Sequence, residues 1–294
     1  MTFVMQLING LQLGSIYALV ALGYTMVYGI VKLLNFAHGD IIMVGGYIAL
    51  FSLTSSLGIH PVIAALLTVA GCTLLAIIIE KLAYAPLRFA PRLSLLITAI
   101  GVSILLQNLA QYFFSADGMS FPAQRLLPVG MIYIGGLRIA YTAIITIVLS
   151  VVSMVVLTFL VQRTKLGKAM RAVSEDKGAA ELMGINVNHI ITFTFAVGAA
   201  LAGIGALLYG VRFPLIMPTI GMMLGIKAFV AAVLGGIGSI PGAMIGGYMI
   251  ALLEVAVITA GFSQWTDGAV FLILILVLLV RPTGIMGRTM MEKV

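Results

Sequence analysis

The sequence predicts an all-α polytopic membrane protein of about eight to nine membrane segments, some of them broken or re-entrant. Three observations predict it. Hydrophobic residues make up 62% of the chain and charged residues 9%, with mean hydropathy +1.21; soluble domains carry about 25% charged residues, so the solvent here is lipid. The apolar runs are unbroken over ~20 residues, the length of a spanning helix, whereas barrel strands alternate over ~10. Polar residues are gathered into a few segments, of which Gln162–His189 is the longest.

The first span is Phe3–Val31, whose Gly10-x-x-x-Gly14 offers a close-packing face. Lys32–Asp40 (KLLNFAHGD) breaks the apolar pattern and brings Asn35, His38 and Asp40 within six residues. An apolar run from Phe36 to Leu53 follows. After the turn Thr54–His60, Pro61 opens a third span to about Ile79. Glu80–Arg92 reads as a polar loop punctuated by Pro86 and Pro91, and Leu93–Phe114 as span four. Ser115–Ala140 is a turn-rich external loop, and Tyr141–Val161 is span five. Ile190–Tyr209 is span six, and its small residues Gly198, Ala199, Ala202, Gly203 and Ala206 predict a close helix neighbour.

Beyond it the pattern is irregular. Gly225–Leu234 is too short to cross and carries Lys227. Gly235, Gly236, Gly238, Pro241 and Gly242 do not suit a regular helix; such backbone survives at membrane depth only inside protein or beside water. Gly242–Ala260 holds Glu254, and Gly268–Val280 is short. Trp265 and Asp267 mark an outer boundary. Met43-Val-Gly-Gly-Tyr47 echoes Met244-Ile-Gly-Gly-Tyr248, as an internal repeat of parallel or inverted sense would. The chain reads as one membrane domain, 1–294, ending in a basic tail from 281 to 294.

Positive charge sets the orientation. With Gln162–His189 inside, loop 80–92, segment 162–189 and the tail put eleven Lys and Arg in the cytoplasm, against Arg125, Arg138 and Arg212 outside. The parity of the spans, and with it the side of the N-terminus, stays open. The net charge of +7 is explained by those loops rather than by nucleic acid.

Enzyme chemistry finds no motif. There is no His-Glu-x-x-His, His38, His60 and His189 have no ligand spacing, and Cys72 stands alone in an apolar run, so no metal site is expected. Gly167-Lys168 is followed by Ala169, so no phosphate loop is present and the chain binds no nucleotide of its own.

Charges inside a bilayer cost at least ~2.5 kcal/mol and are normally paired or line a wet path. Asn35, His38, Asp40, Lys227, Gly235, Gly236, Gly238 and Glu254 are therefore the candidates for a translocation path or gate, with the alternative that they lock the helix breaks. His38 is the expected partner of Asp40. In the cytoplasmic segment, Lys165–Val173 is helix-prone, Ser174 is a cap for a second helix Glu175–Met183, and Gly184 suits the left-handed position past its end.

RAVSEDKGAAELMGINV resembles the cytoplasmic coupling loop of ABC importer permeases, the matching positions being Ala179, Ala180, Glu181, Gly184 and Ile185; the family's Glu-Ala-Ala order is absent. NGLQLGSIYALVALGYTMVYGIVKLLNFAHGDIIMVGGY and the ending Val280-Arg-Pro-Thr-Gly-Ile-Met-Gly287 are similar to branched-chain amino acid permeases of the LivH type. The resemblance covers essentially the whole chain. It implies a subunit of a bacterial inner-membrane importer, paired with a second, LivM-type permease, two cytoplasmic ABC ATPases that bind ATP-Mg, and an external substrate-binding protein delivering leucine, isoleucine or valine. Arg171, Glu175, Asp176, Ala179, Ala180, Glu181 and Gly184 are the expected ATPase-coupling residues. Importers of urea or amides share the signature. An ion-coupled carrier or channel using His38, Asp40, Lys227 and Glu254 is the reading from a different class.

Overall fold

The computed structural model describes residues 2–88, 90–128, 130–134 and 137–287; the far part of the expected tail lies outside these. Its elements in order are α1 (Thr2–Val31), α2 (His38–Thr54), α3 (Pro61–Ile79), α4 (Arg92–Phe114), β1 (Met119–Ser120), α5 (Ala123–Leu126), β2 (Met131–Ile134), β3 (Leu137–Ala140), α6 (Tyr141–Arg163), α7 (Lys165–Glu175), α8 (Lys177–Leu182), α9 (Val187–Arg212), β4 (Leu215–Ile216), α10 (Ile220–Gly235), α11 (Ile240–Thr259) and α12 (Thr266–Val280). Seven helices are long and apolar enough to cross a membrane, and α2 and α10 are shorter apolar helices. Among the described residues the architecture is that of a multi-pass membrane protein built almost wholly of helix.

The core forms around α1 and α9, whose neighbours surround them, while α4, α6 and α12 turn most of their surface to lipid. Glycine makes the central contacts possible. On α1, Gly14 meets Tyr248 of α11, where a Cβ would lie 2.9 Å from the Tyr248 Cα, and Gly10 meets Leu252. The predicted packing face therefore has α11 as its partner. On α9, Gly198 faces Gly23 of α1 and Gly203 faces the backbone of Val69 on α3. With no hydrophobic force between helices in lipid, this closeness and the dispersion it brings hold the bundle.

The contacts also fix directions. Val31 and Lys32, at the end of α1, share a cavity with Val173–Glu175 and Lys177, so α1 ends on the side of the bundle that carries α7 and α8. Gly10, Gly14, Ala18 and Gly29 of α1 meet Leu252, Tyr248, Gly247 and Gly238 in that order, so α11 runs antiparallel to α1. His38 lies against Gly23, two turns before α1 ends, and Gly46 lies against Ile216 of the external strand. Hence α2 begins about 12 Å back along α1 from its end and also runs antiparallel to it. The two Gly-Gly-Tyr segments thus point the same way.

Several expectations are corrected. The segment 80–92 is not simply a loop: α3 continues through a π turn, Glu80–Tyr84, and a 3-10 turn, Ala85–Leu87. The irregular stretch 235–242 is shorter than expected, because Ser239 caps α11 through the Gly242 N–H and Pro241 sits in its first turn. Likewise α10 is longer, starting at Ile220. The external loop holds a hairpin, β2 with β3, and β1 pairs antiparallel with β4. The ending Arg281–Gly287 closes a helix: the N–H groups of Ile285 and Met286 donate to the carbonyls of Leu234 and Gly235 at 2.9 and 3.0 Å. They satisfy the open end of α10.

Candidate functional site

Two regions carry the polar chemistry: the cytoplasmic helices α7 and α8, and a set of buried polar side chains within the bundle.

Thr164 caps α7 by accepting from the Gly167 N–H at 2.9 Å. Asp176 then adopts an extended backbone, ends α7 and caps α8, its Oδ1 accepting from Ala179 N–H at 3.0 Å. This corrects the expected boundary. Ser174 donates back to the Arg171 carbonyl, as a serine inside a helix does, and the second helix starts at Lys177 rather than Glu175. Gly184 has φ 79°, as expected past the helix end. Its N–H donates to Glu181 and that of Ile185 to Ala180, the paired closure of a Schellman end. Asn186 then caps α9 by accepting from His189 N–H at 3.0 Å.

Of the expected coupling residues, Arg171, Glu175, Asp176, Ala179, Glu181 and Gly184 are exposed. Ala180 is buried and packs into the core, so it anchors α8 rather than meeting a partner. Beside them Leu182 is 90% and Met183 82% exposed. These two large apolar side chains are adjacent and open on the same exposed segment.

Inside the bundle, Asn35, His38 and Asp40 come together at the α1–α2 break, all buried. His38 is not the partner of Asp40. Ser103 donates to Asp40 Oδ2, and Gln107 Nε2 donates to Oδ1 at 3.0 Å; both come from α4. His38 lies edge-on to Tyr24 at 4.9 Å, and its buried Nε2 has no partner among the described residues. Asn35 Oδ1 accepts from the Tyr84 hydroxyl at 2.7 Å.

Lys227 and Glu254 form a separate cluster towards the outside. The Lys227 Nζ lies 2.9 Å from Glu254 Oε1 and 2.7 Å from Asp267 Oδ1. Glu254 Oε2 accepts from the Tyr17 hydroxyl at 3.0 Å. Oε1 takes the ammonium as an ion pair without an aligned hydrogen bond. Gly235, Gly236 and Gly238 do not join either group. A Cβ at Gly235 would fall 1.9 Å from the Gly242 carbonyl, and one at Gly236 would fall 2.3 Å from Gly287 N. Their role visible here is close approach of α10, α11 and the chain's ending.

Sequence reasoning missed a third group. Glu80, with 0% exposure, receives Arg88 as an ion pair and the Thr192 hydroxyl at 2.8 Å. Arg88 also donates to Asn188 Oδ1. A lone Glu closing an apolar run was the available signal. Its partner on α9, Thr192, could not be read from sequence.

A family model described as the permease component of branched-chain amino acid transport systems matches residues 6–279. The high-affinity branched-chain amino acid transport system permease protein BraD of Pseudomonas aeruginosa is 45% identical, over 99% of this chain and 98% of its own length. Escherichia coli LivH, of the same description, is 42% identical over 99% and 98%. A probable branched-chain amino acid transport permease LivH of Methanocaldococcus jannaschii is 31% identical over 93% and 89%.

Proposed function

The chain belongs to the permease-component family of branched-chain amino acid transport systems, and we propose that it is one membrane half of an ATP-driven importer of leucine, isoleucine or valine. In this reading a second, related permease completes the channel. Two cytoplasmic ATPases bind ATP-Mg, and an external binding protein delivers the substrate.

The observation that carries the reading is the α7–α8 knob. It is capped at both ends, and Leu182 and Met183 stand in solvent where a soluble partner can bury them. Burying two such side chains is worth about 1.5–3 kcal/mol each, enough to seat a lever though not a whole interface. Asp176, Glu181 and Arg171 supply a polar rim around them. We place the gate at the α1–α2 break, where the buried, unpartnered His38 Nε2 faces Gly23. The Lys227 ammonium is held by two carboxylates of its own chain, Glu254 and Asp267, which fits a structural tie between α10, α11 and α12.

The test is reconstitution of the full assembly in proteoliposomes. ATP-dependent leucine uptake is expected, with loss of uptake and of ATPase co-purification in Leu182→Asp/Met183→Asp while membrane insertion persists. Gradient-driven flux by this chain alone would overturn the reading in favour of a carrier. ATP-dependent uptake of urea or an amide in place of leucine would overturn the substrate.

A further inference from the structure

We propose that Glu80, Arg88, Asn188 and Thr192, with the π turn that starts at Glu80, form the relay that turns movement of the cytoplasmic helices into movement of the α1–α2 break. The proposal rests on the coupling role assigned above to α7 and α8, and names positioning residues for that same transport cycle.

The relay begins at a stiff joint. The Schellman closure fixes Gly184 and Ile185, and the Asn186 cap follows at once. Only Met183, Gly184 and Ile185 separate the end of α8 from the cap of α9, and the closure ties two of them, so a tilt of α8 has few soft torsions in which to dissipate. It reaches the first turns of α9, which carry Asn188 and Thr192. Both are tied to the end of α3: Asn188 accepts from Arg88, and Thr192 donates to Glu80.

Glu80 then holds two things together. Its carboxylate is fully buried, so it stays satisfied only while both Arg88 and Thr192 remain in reach. Its carbonyl closes the π turn, accepting from the Ala85 N–H. A π turn is a wide, uncommon insertion in an α-helix and a place where the helix can change pitch. Within the same turn, the Tyr84 hydroxyl donates to Asn35 at 2.7 Å, three residues before α2 begins. The Tyr84 ring also lies 5.5 Å from that of Phe195 on α9. The path therefore runs from α9 to Glu80, through the π turn to Tyr84, and on to the break that carries His38 and Asp40.

The direct route is less filled. A cavity of about 370 Å³ separates Ser174, Glu175 and Lys177 from Lys32, Arg88 and Leu95. Across this cavity the knob leaves the ends of α1 and α4 unfilled, although α7 also packs on α1; the route through α9 is the hydrogen-bonded one.

Adjacency alone does not show coupling; the complete transporter, reconstituted in proteoliposomes with ATP hydrolysis and leucine uptake read together, tests it. In Glu80→Gln, Thr192→Val and Tyr84→Phe the assembly should co-purify and hydrolyse ATP, while substrate imported per ATP falls about tenfold, within the usual range of coupling between sites. Thr192→Ser should restore the ratio, and Lys81→Gln, exposed on the same turn, should leave it unchanged. Glu80→Gln combined with Thr192→Val should cost less than the product of the two. Uptake and hydrolysis falling in proportion, or an unchanged ratio, would overturn the relay. Should Glu80→Gln fail to assemble, Tyr84→Phe and Thr192→Val still decide. Absence of ATP-dependent uptake in the unaltered assembly would count against the importer reading instead.

Discussion

Lys227→Met isolates what the outer charge cluster contributes. The Glu254 side chain is 4% exposed and Asp267 51%, and both share one ammonium. Removing it leaves Glu254 buried with only the Tyr17 hydroxyl. Breaking a buried pair from one side costs about 3–5 kcal/mol. The half-exposed Asp267 loses much less, about 0–1 kcal/mol. Glu254→Gln is milder, since the amide still accepts from Tyr17 and Lys227 keeps Asp267; about 1.5–3 kcal/mol is expected, the scale of a lost interaction with a charged group. The order of damage is thus Lys227→Met, then Glu254→Gln, then Asp267→Asn. In Lys227→Met/Glu254→Gln no buried charge remains, so most of the first loss should return. Denaturant titration of the purified protein, followed by the fluorescence of Trp265, the single tryptophan, reads all four. The reasoning fails if Asp267→Asn costs as much as Lys227→Met, or if the double variant is as unstable as the sum of its parts.

Gly14→Val should destabilise by about 1–3 kcal/mol through overpacking, because its Cβ would strike the Tyr248 backbone; Gly101→Ala, with no atom within 4 Å, should be neutral or slightly stabilising in the same titration. Asp176→Ala should weaken α8 by about 1 kcal/mol, and Gly184→Val should do at least as much because φ is 79°; both should appear as faster proteolysis between α7 and α9 and weaker ATPase co-purification. Ser103→Ala together with Gln107→Ala should strip Asp40 of its partners from α4 and lower stability by about 3–6 kcal/mol, about 1.5–3 for each hydrogen bond to the carboxylate; equal stability to the parent would refute the tie. Ile285→Pro removes the N–H that closes α10 on Leu234 and should cost about 1–3 kcal/mol by the same measurement.

Much of the fold could be read from periodicity and punctuation. Pro61 opens α3, Gly184 ends α8, and the small residues of α1 and α9 lie on their neighbours, because these are local signals or follow from any close helix contact in lipid. What could not be read is which distant residue meets which. Asp40 is bound from α4 and not by His38 two residues away. Glu80 closes an apolar run and reads as the start of a loop, although Arg88 from its own segment and Thr192 from α9 satisfy it and the helix continues. Asp176 displaces Ser174 as the cap because an extended backbone at one residue decides where a helix starts, and both residues have the right chemistry. In the candidate site the exposed knob was visible as a polar island. The buried network beneath it was not, since hydropathy registers a charge but not its satisfaction.

The clasp between Arg281–Gly287 and the end of α10 has a consequence for synthesis. α10 is made early in the last third of the chain, yet its final carbonyls meet Ile285 and Met286 only after α11 and α12 have been laid down. Until then Leu234 and Gly235 must rely on water or the translocation machinery. Maturation of this half is therefore not vectorial. It finishes only when Ile285 and Met286, made after α12, fold back onto the end of α10.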